Sequence, residues 1–300
     1  MTDGMTVADV IGTLRLALGA QWKDAVWDGL QAGSMDSPVS GVAVTWAPGL
    51  AILKDAVAKG CNLILCKDPV YWYEAEEPLK NPDSATSRVN EGIVGSTPWS
   101  VVEKTNMHRI KQAYIAANKL HIYRMSSNWD GGNDLALNGL LDVLGWKMTD
   151  SIVGDQRFPN SRTAIVDFPA QALVSVAQHA KNAIGSRSTR VLGDRGAKIA
   201  KIAVHPGFLT IPAATKIGQI PALDAILTGE TNEWESMPYA EDWISAGHGK
   251  GLIMTGLAPT SDTAVRQVAA WVRQLIPAAK VEFLTSGDPF TAVMAGGLRA

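Results

Sequence analysis

Apolar residues recur at helical spacing from Thr6 to about Leu18, through Val7, Val10, Ile11, Leu14, Leu16 and Leu18, with Thr6 placed to cap the first turn. Val42 to Trp46 is a short β-type run. Pro48 then opens a helix that extends to about Lys59 and ends at Gly60. Asn62-Leu-Ile-Leu-Cys66 is almost wholly apolar, the pattern of a strand covered on both faces. A strand, a helix and a strand with short connections form a βαβ unit and predict a parallel pair. A helix follows over about Asn106 to Asn118, then a strand over His121 to Met125. Asn133 is placed to cap a helix that runs to Leu144 and stops at Gly145. The second half repeats the alternation. Strands are predicted over Thr163–Asp167, Lys198–Val204, Ala225–Leu227, Leu252–Thr255 and Val281–Leu284. Helices are predicted over Ala170–Ile184, Trp234–Ala246 and Ser261–Leu275, the last capped by Ser261 or Asp262.

This alternation predicts an α/β protein of two similar lobes with mixed, largely parallel sheets. The lobes are expected at residues 1–148 and 149–300, with the last strand packing back on the first. Residues 73–100 break the rhythm. They are rich in Glu, Pro, Asn, Ser and Gly, with Trp72 and Trp99 at the two ends, and read as a lid loop. The basic, turn-rich stretch from Gly185 to Gly196 reads as a surface connection.

Composition narrows the function classes. The net charge is -2 over 300 residues, with both signs interspersed, so nucleic acid is not an expected partner. No apolar run is long enough to span a bilayer, and the first residues lack the basic and apolar regions of a signal peptide. Cys61 and Cys66 stand at an odd separation on what reads as one strand, so they are expected on opposite faces and unbridged. A reducing cytoplasm is the expected setting. The chain has ten Trp against five Phe and five Tyr. Trp suits interfaces and pockets because its ring N–H needs a partner when buried.

Six segments, in order along almost the whole chain, carry a family resemblance. They are Gly29-Leu-Gln-Ala-Gly33, Asn62-Leu-Ile-Leu-Cys-Lys-Asp-Pro69, Ser126-Ser-Asn-Trp-Asp130 with Gly131-Gly-Asn-Asp134, Thr228-Gly-Glu230, Leu252-Ile-Met-Thr-Gly256 and Gly287-Asp-Pro-Phe290. Together they resemble the NIF3-like family. Its corresponding patterns are a GLQVG turn, a strand ending in His-His-Pro, an HTNLD…GGxND segment, a TGE turn, a strand leading into GHxxxE, and a C-terminal DPF. The resemblance implies two similar α/β lobes, a hexameric ring of copies, and a two-metal site in the cleft between the lobes.

The ligand positions depart from the family. Lys67 and Asp68 stand where it has adjacent histidines, and its aspartate ligand is retained as Asp130. Its later histidine falls on Leu257 and its glutamate on Ser261, beside Asp262. A leucine cannot coordinate, and a lysine ammonium repels a metal. One reading has Lys67 standing where a cation stood and pairing with Asp130 in a metal-free acid/base site. Another has that pair as a purely structural remnant. A third keeps a single divalent metal on Asp68, Asp130 and Glu230 or Glu233. No organic cofactor is expected.

His205, ahead of Pro206-Gly207, is a candidate general base, and Glu230 is the best placed acid after the TGE pattern. Trp46, Trp72, Trp129 and Trp234 stand beside these motifs and predict an aromatic wall with Asp68 and Glu233, suited to a small aromatic or heterocyclic substrate. The leading expectation is a hydrolase or lyase using Lys67, Asp130, Glu230 and His205. The alternatives are a non-catalytic scaffold or binding ring and a metal-dependent hydrolase with an atypical ligand set. The cyclohydrolase activity assigned to some family members is not carried over, because it leans on the missing ligands.

Overall fold

The computed structural model describes residues 4–24, 28–72, 103–129, 135–153 and 162–291. Its contacts divide the chain into two units, 1–131 with 268–284 and 132–267 with 285–300. The division therefore falls at 131 and not at 148. The reason is helix α5 (Leu135–Leu144), whose Leu137, Leu140, Leu141 and Leu144 pack with strands and a helix of the second unit. The expected lid at 73–100 lies outside the described residues, as do Asn133, offered as a helix cap, and Asp130.

The first unit carries helices α1 (Val7–Leu18), α2 (Leu50–Ala58), α3 (Asn106–Ala117) and the single turn α4 (Ser126–Trp129). Its strands are β1 (Gly29–Ala32), β2 (Val42–Thr45), β3 (Leu63–Cys66), β4 (His121–Arg124) and the late β11 (Val281–Phe283), in the sheet order β1-β4-β3-β2-β11. β4, β3, β2 and β11 run parallel, and β1 is antiparallel at the edge. Thr6 forms a full capping box with Asp9 at the start of α1, and that bonding holds the Asp9 carboxyl below its ordinary pKa. One face of the sheet packs Ala43, Ile64, Cys66 and Ile122 against Leu53 and Ala56 of α2 and Ile115 of α3.

The second unit has the sheet order β5 (Asp150–Val153), β6 (Arg162–Ala172), β8 (Lys198–Leu209), β9 (Ala225–Thr231), β10 (Gly251–Met254) and β7 (Arg190–Gly193). The neighbouring pairs β8–β9 and β9–β10 are parallel, and the other pairs are antiparallel. One face is covered by α5 and α6 (Leu173–Ile184), the other by α7 (Ile211–Ile217) and α8 (Ser236–Ser245). Helix α9 (Leu257–Leu275) follows β10. Among the described residues, no helix is long and apolar enough to cross a membrane.

Several local expectations are corrected. Residues 170–172 extend β6 instead of opening α6. β7 lies inside the stretch read as a surface connection. Thr228-Gly-Glu230 belongs to β9, and Gly29-Leu-Gln-Ala belongs to β1, so neither is a turn. Helix α9 starts at Leu257 and contains Ser261 and Asp262. Asp262 instead accepts bonds from Thr285 Oγ1 (2.6 Å) and the N–H groups of Ser286 (3.0 Å) and Gly287 (2.8 Å). Cys61 precedes β3, so the alternation argument does not apply to it. Neither cysteine is in a disulfide, both join the same buried cluster, and burial pushes the Cys61 thiol up to about 11.

Two motif residues have structural work to do. Gly33 has φ +90°, and a Cβ there would sit 2.2 Å from Nδ1 of His121, a buried ring that accepts from Ser34 N–H. Gly33→Ala is expected to cost about 2 kcal/mol or more by denaturant titration, since backbone strain and overlap add; an unchanged midpoint contradicts this account. Asp288, of the DPF segment, is buried and accepts from Arg187 N (2.7 Å), Ser188 N (2.9 Å), Ser188 Oγ (2.8 Å) and Phe290 N (2.9 Å). Its burial opposes ionisation, but these bonds prevail and hold its pKa below 3.8; Asp224 is likewise depressed, its burial outweighed by bonds from Lys250, Ala200 and Lys201. A depressed carboxylate adds stability that is complete above its unfolded pKa and is lost as pH falls through the folded value. Thermal midpoints should therefore drop as pH is lowered below about 4. Asp288→Asn should destabilise at pH 7 by about 1–3 kcal/mol and flatten that acid limb.

Candidate functional site at the carboxyl edge of the first sheet

Parallel strands end together, and open α/β sheets place ligands outside those carboxyl ends. In the first unit this edge is built by β2, β3 and β4. The carbonyl of Trp46, just past β2, accepts both the Lys67 N–H (3.1 Å) and the Asp68 N–H (2.9 Å), just past β3. That bifurcated contact fixes the Lys67–Asp68 peptide at the edge, where both side chains are half-buried and Trp46 beside them is half-buried. Three expected site residues, Trp46, Lys67 and Asp68, are thus brought together.

Two further residues of this edge carry no motif in the sequence. Arg124, the last residue of β4, is 2% exposed, and its Nε donates to the Lys67 carbonyl at 3.0 Å. Its Nη1 is buried without a hydrogen-bond partner, as is Oγ1 of Thr45, the last residue of β2. The only signal for Arg124 in the sequence is a charge closing a mostly apolar strand, where an ion is costly unless it is answered.

Beyond β3, Lys111 of α3 is 1% exposed; its Nζ donates to the Val70 carbonyl and lies 5.8 Å from the Tyr71 ring centroid and 5.2 Å from that of Trp72. Trp72 has φ +67° and is 56% exposed, so this ring shields one side of a buried ammonium and presents its other side outward. Trp129 is 1% exposed, with its ring N–H unpartnered. Asn128 before it is structural. Its side chain pairs with both backbone groups of Lys23 at 2.8 Å and donates to Asp28 at 3.2 Å. Asp130 lies outside the described residues, so its expected pairing with Lys67 has no described geometry.

The second unit treats its expected residues differently. His205 lies within β8, ahead of a bulge at Gly207, and not at a strand end. Its Nδ1 meets Thr163 Oγ1 at 2.8 Å and its Nε2 meets the Phe208 carbonyl at 3.2 Å. A carbonyl only accepts, so Nε2 carries the proton and Nδ1 accepts from the threonine. Taking a substrate proton would cost one of these bonds, which disfavours His205 as a general base. The neighbouring threonines are also satisfied: Thr228 donates to Gly207 O (3.1 Å), and Thr255 to Thr228 O (3.1 Å). Glu230 is exposed at the end of β9. Glu233 is exposed and ion-paired with Arg190, and Trp234 is 68% exposed.

The implied two-metal centre can be tested on these donors. Among the described residues, no three His, Cys, Asp or Glu side chains gather as a metal site. Leu257 and Ser261 are helical residues of α9, Lys67 is a cation, and the His205 ring is committed internally. The described donor set does not fit two metals.

Two α/β units with these sheet orders define the class of fold. Solved structures then name it as NIF3-like. The chain superposes on the Staphylococcus aureus protein SA1388 with a TM-score of 0.68 at 18% identity, covering 97% of this chain and 100% of that one. A Bacillus cereus protein related to NIF3 gives 0.65 at 15% identity, covering 96% and 99%. Reduced HcgD from Methanocaldococcus jannaschii gives 0.63 at 15% identity, covering 90% and 94%. No protein-family model and no curated protein matches the sequence.

If the His205 ring is structural, His205→Ala should lower stability by about 1–3 kcal/mol, because Thr163 and Phe208 lose their partner. Chemical denaturation measures this. A neutral substitution would return His205 to the list of groups free for chemistry.

Proposed function

We propose that this protein is a small-molecule enzyme on a NIF3-like fold, a hydrolase or lyase that works with side-chain charges in place of two metals. The observation that carries the reading is the Lys67–Asp68 peptide, pinned to Trp46 at the carboxyl edge of parallel strands. An ammonium and a carboxylate on adjacent residues offer an acid and a base at one strand end. A partly buried lysine is easily tuned for proton transfer. Asp130, which follows the described turn α4, is assigned as the partner acid. Trp46 and Trp72 supply aromatic surface for a flat ring, which favours a small aromatic or heterocyclic substrate. The proposal includes a reducing cytoplasmic setting, consistent with two buried cysteines outside any disulfide, and a closed ring of copies.

A second reading, a binding ring without turnover, is favoured by one feature. In the second unit, His205, Thr228 and Thr255 are already committed to hydrogen bonds within the protein.

The test combines metal analysis with turnover of a panel of ester, amide, phosphoester and heterocyclic amidine substrates. Turnover should survive a chelator and fall by about a hundredfold or more in Lys67→Met, the usual scale for losing a general acid or base, with folding and assembly kept. Two tightly held metals per chain would overturn the metal-free chemistry. Absence of turnover across the panel in the wild-type protein favours the binding ring.

A further inference from the structure

We infer that Thr45 and Arg124 form a recess for one small oxyanion, a phosphate or carboxylate group, at the carboxyl edge of the first sheet. This names a ligand class for the site proposed above, and rests on that reading only in treating the anion as part of a substrate.

The register places the two residues. Thr45 pairs with Cys66, and Cys66 pairs with Arg124, so the three form one transverse row across β2, β3 and β4. Side chains alternate along a strand. Ala43, Ile64 and Ile122 share a buried cluster with Cys66, so Thr45 and Arg124, two residues beyond Ala43 and Ile122, face the same side as Cys66. Adjacent strands are about 4.8 Å apart, so the two Cα atoms stand roughly 10 Å apart. The Arg124 guanidinium spans part of that gap, because its Nε is bonded to the Lys67 carbonyl past the middle strand. Cys66, a small side chain, stands between them in the row.

Both ends of this row are open. Thr45 is fully buried and Arg124 is 2% exposed, and neither Thr45 Oγ1 nor Arg124 Nη1 has a partner. Among the described residues, no carboxylate pairs with Arg124. A buried water would satisfy an N–H but not the charge. Guanidinium offers donors only, in a planar fork that matches a carboxylate or a phosphate, and a threonine hydroxyl can donate beside it. Helix α2 adds a third contribution. It covers the same face through Leu53 and Ala56, and only four residues separate it from β2, so its amino end lies at this edge. Gly49 caps it without any side-chain bond, leaving first-turn N–H groups for an anion. Among the described residues, Lys67 and Asp68 follow Cys66 at this edge, and Asp28 precedes Gly29, the register partner of Arg124.

The test is calorimetric titration of the full-length protein with inorganic phosphate and, separately, acetate. Wild type should bind at least one of them. Preference for phosphate marks a phosphorylated ligand, and preference for acetate a carboxylated one. Arg124→Met should weaken binding by about tenfold or more, the scale of a lost charge-assisted hydrogen bond, and Thr45→Val by a smaller factor. Without anion, Arg124→Met should be no less stable than wild type, since it removes an unanswered buried charge. Lys67→Met should keep most anion binding while losing turnover, which separates this recess from the acid/base chemistry. Anion binding with no turnover in any variant leaves the recess standing and removes the enzymatic reading. The recess is overturned if wild type binds neither anion at millimolar concentration, or if Thr45→Val and Arg124→Met bind as wild type does. Should Arg124→Met fail to fold, the guanidinium is a structural group, and unchanged binding in Thr45→Val overturns the recess by itself.

Discussion

Parallel pairing of β2, β3 and β4 in one register is the constraint on which the first unit depends. It aligns three strand ends at one level, so the chain after each strand must turn away from the same edge. The Trp46 carbonyl then has no ladder partner of its own and takes the two N–H groups that follow β3. The same alignment puts Thr45, Cys66 and Arg124 in a row. None of these positions needs a motif to be fixed. A one-residue slip of β4 would turn Arg124 to the opposite face and replace it with Tyr123, so the cost of slipping is paid in the apolar residues Ile64, Ile122 and Leu53 that lock the register.

The fold was legible where periodicity was clean and caps were present. Helix α1 with its Thr6–Asp9 box, the all-apolar β3, and helix α3 behind Thr105 follow directly from local pattern. The failures share a physical cause. β6, β8 and β9 run on past their apolar cores into polar residues, because pairing with neighbouring strands satisfies their backbone whatever the side chain is. That is why Glu230 lies on a strand and why His205 is internal to one. β7 was hidden because it is a mostly exposed edge strand with Arg and Gly at its ends, and edge strands bury little. α9 begins at Leu257, with Pro259 in its first turn, where a proline is tolerated and the cap-like Ser261 is a distraction.

The site was half legible. Lys67 and Asp68 stood out because they replace a pattern, and the fold places them at the carboxyl edge of parallel strands. Family motifs also mark residues whose reasons are structural. Gly33 makes room for the His121 ring, Asn128 ties down Lys23, and Asp288 closes the loop at 186–188. Arg124 and Thr45 were illegible for the opposite reason. Each is unremarkable in sequence, and only burial together with the lack of a partner makes it informative.

The proposed exchange of metals for fixed cations has a physical consequence. A metal can leave and return, and its charge is balanced by the ligands that bind it. Arg124 and Lys67 cannot leave, so their charge must be answered by the protein, by solvent or by a ligand. Burial of Arg124 closes off solvent, and no described carboxylate answers it. The answer proposed here is an anionic ligand, whose binding would offset the stability cost of that buried charge. Such an edge would be least stable when empty and would gain order on binding, without any change of fold. This also bears on the choice between enzyme and binding ring. A binding site needs only the anion recess, whereas turnover needs the recess to hold the reacting group within hydrogen-bond reach of Lys67 or Asp68. The bond from Arg124 Nε to the Lys67 carbonyl ties the recess to that residue's backbone. On this link rests the order of the two proposed readings.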